Sequence, residues 1–143
     1  MLVMRKLVNE GKVNPRVRYL ALSLIKHLKQ KDFVGEIREL HKYVRDRIRY
    51  VKDIDDVETL HDVDRILDAS QGDCDDKTIL LSALLASIGH KVRIVAVARQ
   101  PEQYCHVLLE AQLGRGWIPL ETTEPVQMGW YPPGVFSRLV IYV

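Results

Sequence analysis

Gln71-Gly72-Asp73-Cys74-Asp75-Asp76-Lys77 (QGDCDDK) runs directly into TILLSALLASIG at residues 78–89. The second part reads as a helix. Ile79, Leu80, Ala83, Leu84 and Ile88 recur at helical spacing, and Gly89 supplies a left-handed stop. The first part starts that helix: Asp73 is a good N-cap, and Asp76 at the third position can complete a capping box. Cys74 therefore falls at the first helical position, after a glycine and among three aspartates. A thiol needed only for packing would sit one turn later, inside the leucine stripe. Unpaired N–H groups and the helix dipole favour a thiolate there, and the same groups could receive an oxyanion. The aspartates oppose this by raising the thiol pKa. A partner base is required.

Strand signals follow the helix. Val92, Ile94, Val95 and Val97 form a β-branched run. CHVLLEAQL (105–113) and GWIPLE (116–121) are joined by Gly114-Arg115-Gly116, and SRLVIYV (137–143) closes the chain. Helix signals precede it. Asn14-Pro15 opens the first clear helix, with Val17, Leu20, Leu24 and Leu28 at helical spacing. Asp32 caps a second, whose buried stripe is Ile37, Leu40, Val44 and Ile48. Its outer face of Arg38, Lys42, Arg45 and Arg49 reads as solvated. The acidic connection holds Asp53, Asp55, Asp56, Asp62 and Asp64, without the spacing of a calcium loop. HDVDRILDAS (61–70) makes a short helix within it. Helices first and strands afterwards predict an α+β fold, with N-terminal helices and a central cysteine-bearing helix packed on a C-terminal antiparallel sheet. One domain is expected over residues 1–143, helical over 1–50 and with its core over 51–143.

The 143 residues are 47% hydrophobic and 28% charged with a net charge of +2, which points to neither nucleic acid nor a membrane. No apolar stretch reaches the ~20 residues of a bilayer span. MLVMRKLVNEGK lacks a signal core and cleavage site, so a cytoplasmic location is expected. Two cysteines do not make a disulfide framework. Free thiols are expected, with no cofactor and no metal.

Among five histidines, four have ordinary readings. His27 and His41 read as surface or boundary residues of the N-terminal helices. His61 lies in the acidic connection, and His90 follows Gly89, where a cation suits a helix C-terminus. His106 differs, because it begins an apolar strand. With a two-residue turn at Gly114-Arg115, position 106 lies opposite 123, which puts Glu121 on the same face and diagonally adjacent. Glu121 can then orient the imidazole. By alternation Cys105 points away from His106 as a buried structural thiol, which disfavours a zinc site of Cys74, Cys105 and His106.

GDCDDKTILLSALLASIGHKVRIVAV followed by CHVLLEAQLGRGWIPLETTEP resembles the transglutaminase-like superfamily of papain-type cysteine enzymes. The helix ending in RDRIRYV, the acidic connection and the MGWYPPG segment are similar to members encoded in phages and prophages, so the resemblance covers most of the chain. It implies a catalytic triad of Cys74, His106 and Glu121, although the family usually has Asp at the third place. It also implies an oxyanion side chain upstream of the cysteine, for which Tyr50 and Gln71 are the candidates. Trp117, Trp130 and Tyr131 are candidates for a substrate cleft, or else staple a loop onto the sheet. The implied function is cysteine acyl transfer on a protein or peptide substrate, with hydrolysis favoured. The alternatives are a cross-linking transglutaminase and a silent phage structural or assembly module; phage encoding would imply a virion-associated location and phage structural proteins as partners.

Overall fold

A helix that is apolar on every side has to be covered on every side, and one such helix organises this protein. The computed structural model describes residues 1–52 and 60–143. Along them the elements run α1 (Leu2–Lys12), α2 (Pro15–Ile25), α3 (Phe33–Arg47), β1 (Arg49–Tyr50), α4 (Val63–Ala69), β2 (Gln71–Gly72), α5 (Cys74–Ser87), β3 (Val92–Gln100), β4 (Gln103–Leu113), β5 (Gly116–Leu120) and β6 (Ser137–Tyr142). Every residue of α5 from Asp76 to Leu85 is buried. Helices α1 to α4 pack against α5, as do β3 and β4. The fold is α+β.

The sheet is antiparallel with strand order β5-β4-β3-β6. Its inner face brings Ile94, Val107, Leu109, Ala111 and Leu120 into one core with Ile79, Leu80 and Leu84 of α5. Each such side chain removed from water contributes about 1.5–3 kcal/mol. The outer face carries a smaller cluster of Val95, Val97 and Leu108, covered by Tyr131 and Val135 from the segment between β5 and β6.

The expected caps are present. The side chains of Asn14, Asp32 and Asp62 accept from Arg16, Gly35 and Arg65 N–H, starting α2, α3 and α4. Ile37, Leu40, Val44 and Ile48 are all buried. Leu28 lies beyond the end of α2 at Ile25. Of the acidic connection, Asp53, Asp55 and Asp56 lie outside the described residues, whereas Asp64 accepts from Asn14 Nδ2 at 3.0 Å. Among the described residues, no helix is long and apolar enough to cross a membrane.

Two elements depart from expectation. Helix α1 precedes the first helix read from sequence; Met4, Val8 and Gly11 form its buried seam. The pairing of β1 with β2 is parallel, with Tyr50 opposite Gly72, and ties the end of α3 to the residues just before Cys74. A strand of two residues leaves no periodicity to read.

Gly11 sits where α1 meets its neighbours. A Cβ there would lie 2.7 Å from Val63 Cγ1 and 2.9 Å from Ala83 Cβ. Gly11→Ala gains about 1 kcal/mol of helix propensity, but overpacking costs about 1–3 kcal/mol. The clash is expected to win: urea unfolding should show a net loss of about 1 kcal/mol.

Candidate active site

The start of α5 is built by reciprocal hydrogen bonds. Asp76 N–H donates to Asp73 Oδ1 at 2.9 Å, and Asp73 N–H donates to Asp76 Oδ2 at 3.3 Å. The buried Asp76 carboxylate also accepts from His61 N–H at 3.2 Å and His61 Nδ1–H at 3.0 Å. Gly72 is required by space: a Cβ there would lie 2.5 Å from Asp76 Cβ. Cys74 follows as the first helical residue and is partly buried.

An open cavity of about 450 Å³ lies over this helix end. Cys74, Asp75, His106, Tyr50, Tyr104 and Cys105 line it, with Met4 of α1. The backbone N–H of Val107, the residue next to His106, favours the charged form of the sulfur. The thiol donates to Asp75 Oδ1 at 3.8 Å. His106 Nε2–H donates to Glu121 Oε2 at 2.6 Å, which leaves Nδ1 as the nitrogen available to a thiol proton. Glu121 is 1% exposed. Its other oxygen, Oε1, accepts from Thr123 N–H at 3.0 Å and Thr123 Oγ1 at 2.9 Å.

Electrostatics set the two acids in opposite directions. Burial pushes the Cys74 thiol up to about 12, and the charges of Asp75, Asp73 and Glu121 add to this against the Val107 hydrogen bond. Burial also pushes the Glu121 carboxyl up. There the hydrogen bond and charge of His106, with the Thr123 donors, outweigh it and hold the group below the ordinary carboxylate value. The resting sulfur is therefore a neutral thiol, while the carboxyl hydrogen-bonded to His106 is ionised.

Hairpin register is as read from sequence, with Leu113 opposite Gly116 and Leu109 opposite Leu120. The environment of Cys105 is not. Pairing passes from Val97–His106 to Ala98–Tyr104, so Cys105 is the extra residue of a β-bulge. Bulges break alternation, and Cys105 is exposed in the cavity rather than a buried structural thiol. Among the described residues, no three His, Cys, Asp or Glu side chains are grouped to hold a metal.

The oxyanion candidates separate. Tyr50, 46% exposed, lines the cavity; Gln71 is exposed and does not. None of the expected cleft aromatics lines it. Trp117 lies under the Arg93 guanidinium, 4.4 Å from the ring centre, with Tyr142 at its edge. Tyr131 covers the outer cluster of the sheet, and Trp130 lies in the same segment. Tyr131, beside Pro132-Pro133, staples its segment onto the outer face.

Two residues were missed. His41 is 1% exposed, not a surface or boundary residue, and its Nε2–H donates to the Glu121 carbonyl oxygen at 2.6 Å. It sits four residues after Ile37, on the buried stripe, which was the available signal. Lys77, 2% exposed, donates from Nζ to the Arg45 carbonyl at 3.2 Å. Burial pushes it down to about 8, against Asp46 and Glu121. Only the burial of α5 on every side could have revealed it.

Comparisons with known proteins bear on family and fold. The sequence profile of the transglutaminase-like superfamily matches residues 21–122. No curated protein matches the sequence. Among solved structures, a "putative protease" from Parabacteroides distasonis is 14% identical, with 84% of this chain and 26% of that chain covered and a TM-score of 0.67. A "putative cysteine protease" from Cytophaga hutchinsonii is 15% identical, covering 88% and 46%, with a TM-score of 0.62. Legionella pneumophila LapG is 18% identical, covering 92% and 80%, also at 0.62. The chain thus spans less than half of the first two structures, and the likeness is one of fold.

Glu121 ionises more readily folded than unfolded, so its contribution to stability is present above the ordinary carboxylate pKa and lost as pH falls through the folded value. Thermal unfolding followed from neutral to acid pH should show this loss. Glu121→Gln should flatten that part of the profile while lowering stability at neutral pH.

Proposed function

Because the chain belongs to the transglutaminase-like superfamily, we propose that it is a cysteine acyl-transfer enzyme that hydrolyses peptide or glutamine-type amides through a thioester on Cys74. The observation that carries this reading is the His106–Glu121 pair at 2.6 Å opening on the cavity that Cys74 shares.

The neutral thiol dictates the order of events. A substrate carbonyl enters the cavity, and Sγ attacks its carbon as His106 Nδ1 takes the thiol proton. Glu121 holds the imidazole through Nε2–H and stabilises the imidazolium that forms. The tetrahedral oxyanion is received by backbone N–H at the start of α5, with the Tyr50 hydroxyl as the side-chain candidate. The imidazolium then protonates the departing amine, the C–N bond breaks, and a thioester remains. His106 next takes a proton from water, whose oxygen adds to the thioester carbon; the C–S bond then breaks, the imidazolium returns its proton to the sulfur, and the carboxylic acid leaves.

Hydrolysis is favoured because the cavity is open to solvent and because two of the similar structures are described as proteases. An amine acceptor in place of water would make the same thioester a cross-linking intermediate. The high thiol pKa is the one observation favouring a silent module, since attack then depends wholly on His106.

Two measurements test the reading. Glutamine-containing peptides, with and without added amine, are followed by mass spectrometry. Turnover should vanish in Cys74→Ala and fall roughly 10²–10⁴-fold in His106→Ala; hydrolysed product alone supports hydrolysis, and amine adducts support transfer. Iodoacetamide labelling is mapped by peptide, with the exposed Cys105 as internal reference. The Cys74:Cys105 labelling ratio should drop in His106→Ala, and a ratio unchanged by that substitution argues for the silent module.

A further inference from the structure

Glu121 occupies an unpaired joint just past the backbone ladder. The last pair of the β4–β5 ladder is Leu109 with Leu120, so Glu121 is the first residue past the strand. Its carboxylate must nevertheless be aimed within hydrogen-bond distance of His106, and its own carbonyl is buried. The Thr123 contacts with Oε1 fold the turn on itself, but they do not fix the turn relative to the rest of the protein.

We infer that His41 is the positioning residue of this site: its Nε2–H, on the Glu121 carbonyl oxygen at 2.6 Å, anchors the turn to α3 so that the carboxylate meets His106. The inference rests on the reading that Cys74, His106 and Glu121 act together. The anchor joins segments 80 residues apart in sequence, and it is buried. One turn further along α3, Arg45 Nη1 donates to the Val126 carbonyl at 3.0 Å, so the same helix holds the segment after β5 at two points. Burial pushes His41 down, which keeps the ring neutral with a single N–H. That hydrogen must be on Nε2, since the partner is an acceptor only. A residue kept for packing alone would not need a donor at that atom.

The test separates a placed donor from a filled space. A Gln side chain carries its amide NH₂ where the histidine Nε2 lies, whereas Asn is too short to reach the carbonyl. In the full chain labelled with ¹⁵N-histidine, the hydrogen-bonded Nε2–H of His106 gives a downfield proton resonance. That resonance should persist in His41→Gln and be lost or exchange-broadened in His41→Asn and His41→Leu. The Cys74:Cys105 iodoacetamide ratio should fall about tenfold in the Asn and Leu variants, as for other outer-shell partners, and stay near that of the unsubstituted protein in Gln. If Leu does not fold, the Gln and Asn pair decides. Equal retention of the His106 resonance in both, or its equal loss, overturns the inference, whatever happens to Tm. If Cys74 labelling in the unsubstituted protein does not depend on His106, the proposed function fails instead, and the resonance still decides the role of His41.

Discussion

Everything in this molecule follows from the burial of α5 on all sides. Its leucines and Ile79 leave no polar stripe to face water, so helices must lie along one flank and a sheet along the other. A helix sandwiched in this way can meet solvent only at its ends. Cys74 stands at one of them, in a cavity it shares with His106 and Val107 of β4. The glycines that permit close approach serve the same packing, with Gly11 letting α1 settle against Ala83 and Gly72 letting the chain pass over Asp76. Cys74 reaches the cavity because the helix behind it does not.

That position sets up a contest between forces of known size. A helix N-terminus favours an anion by about 0.3–1 kcal/mol, or up to ~2 kcal/mol when partly buried. Here part of that potential is already used by the reciprocal bonds of Asp73 and Asp76. Burial acts the other way, joined by Asp75, Asp73 and Glu121, and it wins: the thiol is held at about 12. Meanwhile His106 and Thr123 hold the Glu121 carboxyl ionised despite its burial. The two titratable groups are thus pushed apart, one keeping its proton and the other losing it. In the proposed reaction the sulfur gains its nucleophilicity in the attack itself, through the imidazole, rather than beforehand.

What could be read from the chain was whatever local rules decide. Asp73, Asp76 and Gly89 bound α5 because capping is a matter of a few adjacent residues. The β4–β5 register followed from a two-residue turn, and with it the diagonal approach of Glu121 to His106. The failures share the opposite character. Cys105 was misplaced because strict alternation does not foresee a bulge. His41 and Lys77 were misjudged because polar residues are assigned to the surface until their tertiary partners are known, here the Glu121 and Arg45 carbonyls. The aromatic residues Trp117 and Tyr131 sit on the outer face of the sheet, and only the strand pairing tells which face that is. Helix α1 was legible and missed: Met4, Val8 and Gly11 carry its spacing.

The glutamate at the third position, where aspartate is usual in the superfamily, has a geometric account. Because β5 ends at Leu120, residue 121 belongs to a turn rather than to the ladder, and its carbonyl is tied to α3 through His41. With the backbone tied there, the distance from Cα to the imidazole must be bridged by the side chain. An aspartate on the same backbone would fall short by about one carbon–carbon bond, roughly 1.5 Å. That would turn a 2.6 Å hydrogen bond into a gap. Glutamate adds the methylene and also presents a second oxygen to Thr123, which holds the longer side chain in one rotamer. Side-chain length and backbone anchor are matched, so an aspartate here would require the turn itself to move toward β4.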